Sequence, residues 1–394
     1  MSASLFKNFK LVDSAFKSHQ SKMAFVVEKG IIKWIGPQNK VPKNFKISKT
    51  NDLKNRLVFP SFIECHTHTI FAGSRAEEFE LRNQGVSYSE IAKRGGGILS
   101  TMKATRKASV PDLLISTQNR VNAFLNQGVS TLEIKSGYAL DLKNEVKTLE
   151  ILKKIKGPRI ISTFLGAHAK PPEFETHSDY LQYLAEKVLP VIKKKNLSKR
   201  VDIFIENNFF EKTESRVYLE RARAMGFDIT IHANQLSLSA GAELALYLKA
   251  HSADHVINLD DSLINSFAGS KTVAVLLPLA DLYMKCAYPP ARKLIDAGAC
   301  VALSTDFNPG SCPSQDLSLV GLLARLEMKM TLPEVFKAYT FGAARALGIE
   351  SEEGTLEIGK HANFICTDAD LTDFFYSAGH MPLHSLFIRG IEVY

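Results

Sequence analysis

Short apolar runs alternate with helical patterns through the middle of this chain. The runs occupy 57–68, 129–138, 159–169, 201–206, 227–235, 250–256, 272–278 and 299–308. Between them, segments such as 113–128 and 218–226 space their apolar residues at the period of an amphipathic helix. Gly128, Gly226 and Gly298 each fall where such a helix should stop. Eight strands alternating with helices is the count of a parallel (β/α)8 TIM barrel, an α/β fold; a doubly wound open sheet shows the same alternation locally. The chain ends differ from the middle. Residues 23–36 read as a β-hairpin turning at Gly30, and 354–368 and 383–394 are again strand-like. The longest gap, 69–128, contains RGGGILST at 94–101. A phosphate loop needs Gly-Lys-Ser/Thr there, and Ile98 follows instead, so a flexible loop over an active site is expected.

Six of the eight predicted strands end in a polar residue that buried strands rarely carry: His66 with His68, Tyr138, His168, His232, His255 and Asp306. In a barrel the strand C-termini share one face, where chemistry collects. His66 and His68 stand two apart on a strand, so both rings point the same way and can reach one ion. An isolated His-x-His is more often structural, but His232 and Asp306 at two further strand ends change the weighing. Three imidazoles and a carboxylate form a donor set suited to one divalent metal ion, zinc or iron. The bland reading of Asp306 is a turn cap before Asn308-Pro309-Gly310, yet a carboxylate ending a run of wholly buried character needs a partner. His168 and His255 have an equally plain alternative as hydrogen-bonded core histidines. Lys135 raises a further possibility, a modified lysine bridging two metals. One metal with a structural Lys135 is preferred.

Composition narrows the picture. With 394 residues, 45% hydrophobic and 23% charged, the chain has ordinary globular usage. Lys plus Arg exceeds Asp plus Glu by 49 to 41, a formal +8, but the basic runs are short and adjoin helical patterns, so no nucleic-acid partner is expected. Five scattered cysteines without a Cys-x-x-Cys pair suggest neither disulfides nor a thiolate zinc site. No apolar run reaches membrane-spanning length and the first residues lack a signal-peptide core, so the expectation is a cytoplasmic enzyme with no membrane partner. A homodimer is the default assembly for such a protein.

The His-x-His after strand one, His after strand five and Asp after strand eight resemble the amidohydrolase superfamily. Members add a small β-sandwich built from both chain ends. The resemblance maps this to residues 1–58 plus 354–394, with 59–353 as the metal-dependent barrel. It extends through HTHTIFAGSRAEEFELR from His66, EIKSGYALD from Glu133, TFLGAHAKPPE from Thr163, IHANQ from Ile231, SADH from Ser252 and ARKLIDAGACVALSTDFNPGSCPS from Ala291. It implies hydrolysis of the ring amide C–N bond of a small molecule, 4-imidazolone-5-propanoate, giving N-formimidoyl-L-glutamate. Another cyclic-amide hydrolase or an aromatic deaminase of the superfamily is the alternative.

By that resemblance His66, His68, His232 and Asp306 hold the metal, and Asp306 also moves the proton. His255 orients the attacking water, and His168 lies near the charge developing on the carbonyl. Arg75 pairs with the substrate's propionate carboxylate, a planar bidentate task; its plain alternative is an ion pair with Glu77 or Glu78. Tyr138 and His168 contact the ring and its amide, and Gln235 sits beside the ring. Asn308, Gly310 and Ser311 hold the carboxylate end or the product backbone. The chain departs from the pattern with Asn234 and Glu64 where Asp is usual. Gln235 replaces a Glu found in some relatives, which puts in doubt any proton transfer by residue 235.

Overall fold

In the computed structural model, which describes residues 2–12, 16, 22–86, 90 and 96–394, the strands sort into two sheets. The chain ends build the first. Strands β1 (Ala3–Leu11), β2 (Met23–Glu28), β3 (Ile31–Pro37) and β4 (Ile47–Pro60) join β13 (Phe364–Thr367), β14 (Ser385–Ile388) and β15 (Ile391–Glu392). Their order is β15-β14-β13-β4-β1-β2-β3, parallel between β1 and β4 and antiparallel elsewhere. Strand alternation gathers rings from both ends of the sequence into one core. Phe364 stacks on Phe387 with centroids 4.5 Å apart, and Phe25 meets Phe364 edge-on at 5.0 Å. The expected hairpin is β2–β3, turning at Gly30 with φ +77°.

The second sheet is the barrel: β5 (Phe62–Glu64), β6 (Val129–Lys135), β7 (Arg159–Ala167), β8 (Arg200–Ile205), β9 (Asp228–Ala233), β10 (Ser252–His255), β11 (Val273–Leu276) and β12 (Val301–Leu303). All eight lie in sequence order and pair in parallel. The ring closes between last and first strands through the Thr67–Phe307 bridge and the bonds His68 N to Phe307 O (2.8 Å) and Asp306 N to His66 O (3.2 Å). Helices follow the strands on the outside, each with local start signals. Ser109 caps Val110–Leu125 by accepting from Asp112 N, and Asp141 caps Leu142–Leu152 by accepting from Asn144 N. Gly128, Gly226 and Gly298 all sit at positive φ beyond helix ends.

The expected strand 57–68 is two strands. Pro60 has no N–H to continue a ladder, and Ser61 turns the chain from one sheet to the other, its hydroxyl 2.6 Å from that of Ser130. The loop expected at 94–101 lies partly outside the described residues; from Ile98 the chain is helical, through Lys107.

Candidate functional site

The polar strand-end residues singled out from the sequence gather at the C-terminal face of the barrel. His68, Tyr138, His168, His232, His255 and Asp306 line a cavity of about 380 Å³, and the fully buried His66 meets Asp306 of that lining. That volume falls in the range of small-molecule sites. The backbone is bent to aim these side chains. Asp306 has φ +56° and His255 φ +75°, left-handed conformations that non-glycine residues adopt at a cost of about 1–3 kcal/mol each.

The donor atoms converge. Asp306 Oδ1 lies 3.4 Å from both His66 Nε2 and His68 Nε2, and His232 Nε2 lies 3.3 Å from His68 Nε2. Ligand atoms of His66, His68 and Asp306 group within 4.8 Å, as do those of His66, His232 and His255. His66 Nε2 is buried with no hydrogen-bond partner among the described residues. Its other nitrogen is 2.6 Å from Asp254 Oδ2, which fixes the proton on Nδ1 and directs the Nε2 lone pair into the cluster. Asp202 Oδ2 stands 3.0 Å from His232 Nδ1 in the same relation. A buried lone pair without a donor, beside two more imidazoles and a carboxylate, is the arrangement a zinc or iron ion satisfies. Asp306 is therefore with the histidines and is no mere turn cap. Burial opposes its charge, yet His66 and His68 outweigh burial and hold its carboxyl well below the usual range.

Behind these residues lies a fully buried charge network. Lys135 Nζ sits 2.9 Å from Asp202 Oδ2, 3.0 Å from Glu133 Oε1 and 3.6 Å from Asp254 Oδ2. Burial disfavours an ammonium there, but the carboxylates of Asp202, Glu133 and Asp254 overcome it and raise the Lys135 pKa. Lys135 is thus the countercharge for the two aspartates that brace His66 and His232.

At the other end of the cavity, Arg75 Nε pairs with Glu78 Oε2 at 2.8 Å, the plain alternative, and also lines the cavity. Glu78 Oε1 in turn accepts from Gly97 N and Ser100 Oγ, both at 3.0 Å, tying Arg75 to the start of the helix Ile98–Lys107. Gly310 has its place because a Cβ there would occupy the space of the Arg75 guanidinium. Asn308 and Ser311 line the same end. The Asn308 side chain is engaged in shaping the loop: Oδ1 accepts from the backbone N of Gly310 and of Ser311 at 2.8 Å, and Nδ2 donates to Asp306 O at 2.7 Å. Gln235 lines the cavity beside His232, and its carbonyl accepts from Asn258 Nδ2 at 3.0 Å. His168 donates Nδ1–H to Gly137 O at 3.1 Å. Burial, then the neighbouring His68 and His232, keep it neutral, so its Nε2 is an acceptor. Tyr138 rides on a turn whose N–H groups at 137, 139 and 140 all donate to the buried Glu145 Oε1, at 3.2, 2.9 and 2.9 Å.

The sequence reading missed Asp202, Asp254, Glu133 and Glu145. The first three carried a signal, a carboxylate inside an apolar strand. Glu64 and Asn234, the departures noted above, are buried beside the site rather than in the donor set. Glu64 accepts from Thr305 N (3.0 Å) and from Ser304 Oγ, and burial pushes its carboxyl up to about 8. Asn234 Nδ2 donates to Asn258 O at 3.0 Å, a bond an Asp could not make.

A profile described as "Amidohydrolase family" matches residues 57–393. An imidazolonepropionase of Bdellovibrio bacteriovorus is 56% identical over 374 residues, covering 94% of this chain and 88% of that protein. The imidazolonepropionase of Fusobacterium nucleatum is 41% identical over 376 residues, covering 94% and 91%. Among solved structures, a zinc-bound adenosine deaminase from Xanthomonas campestris superposes with TM-score 0.75 at 17% identity, covering 99% of this chain and 92% of that one. Guanine deaminase of E. coli gives 0.71 at 14%, covering 100% and 99%, a likeness of fold alone. The profile spans most of the chain and both relatives match it at 41% identity or more, and the chain belongs to the amidohydrolase family.

Proposed function

We propose that this protein hydrolyses the ring amide C–N bond of 4-imidazolone-5-propanoate to N-formimidoyl-L-glutamate. The observation that carries this is one cavity with a metal-donor cluster at one end and the Arg75 guanidinium, accommodated by Gly310, at the other. The relatives at 56% and 41% identity, both imidazolonepropionases, support the same reading. A neutral purine-type ring has no use for Arg75, which argues against a deaminase despite the shared fold.

His66, His68, His232 and Asp306 hold the metal. Bound there, zinc or iron supplies the Lewis acidity that makes water nucleophilic near neutral pH. Arg75 binds the propionate carboxylate and so sets the distance between ring and cluster. The neutral His168 Nε2 accepts a ring N–H, a role its tautomer suits better than donating to the carbonyl oxygen; Tyr138 and Gln235 flank the ring. The Asn308-ordered loop sets Gly310 and Ser311 against the carboxylate end. His255 orients the water. As water adds to the ring carbonyl carbon, Asp306 accepts its proton; as the ring C–N bond breaks, that proton passes to the leaving nitrogen. The test is Asp306→Asn: turnover should fall by about 10²–10⁴-fold with metal still bound, and near-unchanged turnover by metal-loaded variant would remove Asp306 from the proton path. The five cysteines are all unpaired, which suits a cytoplasmic location. Among the described residues no helix is long and apolar enough to cross a membrane. A homodimer is the assembly proposed.

A further inference from the structure

Two loops form one side of the cavity, and a single buried carboxylate joins them. β8 and β9 are neighbours in the barrel. Phe204 near the end of β8 and Phe209 in the loop beyond it line the cavity, as do Gln235 and Leu236 in the loop after β9. The Phe204 ring packs against that of Phe209 at 4.6 Å and lies 5.9 Å from the ring of His232. Between the loops stands Glu206, the first residue past β8 and only 2% exposed. Its Oε1 accepts from Asn207 N at 2.9 Å and from the Ser237 hydroxyl. Its Oε2 accepts from Leu236 N at 2.8 Å and from Ser237 N at 3.2 Å. Three of these four donors reach across from the β9 loop. Two further bonds cross the same junction: Asn207 Nδ2 donates to Ser237 Oγ at 2.9 Å, and Ser239 Oγ to Ile205 O at 2.8 Å. Leu236 and Leu238 are exposed, so burial does little to fix this loop and bonds to an anionic acceptor carry it.

We propose that Glu206 is a positioning residue for the hydrolysis, holding Gln235 and Leu236 against the substrate ring by joining the β9 loop to the β8 loop. This role rests on the function proposed above. Glu206 is not among the lining residues and acts through those that are. A glutamine at 206 keeps one acceptor oxygen and turns an NH2 group toward donors, which a carboxylate alone satisfies on both sides. The competing role is a loop brace of no consequence to the reaction.

The test compares zinc-loaded wild type, Glu206→Gln and Glu206→Asp on 4-imidazolone-5-propanoate, and repeats Glu206→Gln in a Gln235→Ala/Leu236→Ala background. Hydrogen exchange at the amides of residues 236 and 237 reads the loop independently of turnover. In Glu206→Gln that exchange should quicken at least about tenfold. KM should rise about tenfold and kcat fall by about tenfold or less, since a misplacement of about 1 Å can cost about 10²-fold in all. A loss of folded protein lowers kcat and leaves KM alone, which makes the rise in KM diagnostic. In the background lacking both side chains, Glu206→Gln should change KM and kcat by less than about threefold, because residues that act through one another do not add. Glu206→Asp, which keeps both acceptor oxygens on a shorter arm, should fall between, and it serves as the second variant if Gln impairs folding. Unchanged exchange, a wild-type KM, or equal losses in both backgrounds would overturn the role of Glu206 and leave the proposed function standing. Failure of the wild type to open the ring would overturn both.

Discussion

Replacing Lys135 by Met removes one charge of a network in which every member is fully buried. The side chain is nearly isosteric, so the loss is electrostatic rather than a cavity. Three carboxylates lie within 3.6 Å of its Nζ, and two of them, Asp202 and Asp254, brace His232 and His66. Breaking a buried ion pair from one side costs about 3–5 kcal/mol, because the remaining charge is stranded. Against a typical total of about 5–15 kcal/mol, that is about a fifth of the protein's stability or more. The stranded aspartates relieve themselves by taking up protons, and a protonated carboxyl no longer fixes the tautomer of the histidine it faces. Metal affinity should then fall by about 10–100-fold, the usual effect of losing a partner behind a metal ligand. Urea unfolding of the zinc-free protein reads the first effect, and chelator competition reads the second. A variant that keeps stability within about 1 kcal/mol and binds zinc as tightly as wild type would refute the countercharge account of Lys135. Two metals per wild-type chain with a mass increment on Lys135 would also refute it, in favour of a bridging modification.

The remaining predictions concern single contacts. Gly310→Ala places a methyl group where the Arg75 guanidinium lies; KM should rise at least about tenfold with kcat little changed, and unchanged steady-state kinetics would disprove the close approach. Asp281 is buried, with Oδ2 unpartnered among the described residues, and burial and then the charge of Asp306 push its carboxyl up to about 8. Because the folded state holds that proton and the unfolded state does not, stability should decline as pH rises from about 4 to about 8. Asp281→Asn should therefore gain on wild type as pH rises, by a thermal midpoint shift of several degrees at pH 8.5 relative to pH 5; parallel pH profiles would count against it. Glu145→Ala leaves the turn carrying Tyr138 without its three N–H acceptor bonds. It should cost about 2–3 kcal/mol in urea unfolding and raise KM, and a change confined to stability would mean Tyr138 does not need that turn.

The barrel and the polar strand ends that gather at its cavity were legible because their signals are local. Apolar runs bounded by helix stops mark strands, and a polar residue at the end of such a run stands out against it, as at His232 and Asp306. What lay behind them was harder to read. Asp202 and Asp254 sit inside strands buried on both faces, where no alternation shows which side a residue faces, and Lys135 reaches them only across the closed barrel. The break at Ser61 escaped notice since residues 57–68 stay apolar while the chain changes sheets.

The central claim is that the cluster of His66, His68, His232 and Asp306 and the cationic end at Arg75 act on one molecule. Its most direct test is hydrolysis of 4-imidazolone-5-propanoate by the zinc-loaded protein, with the product identified by mass and NMR. The account predicts N-formimidoyl-L-glutamate as the sole product, loss of turnover on metal removal, and its return with one equivalent of zinc or iron. No turnover by metal-replete protein, or turnover unaffected by removing the metal, would contradict it.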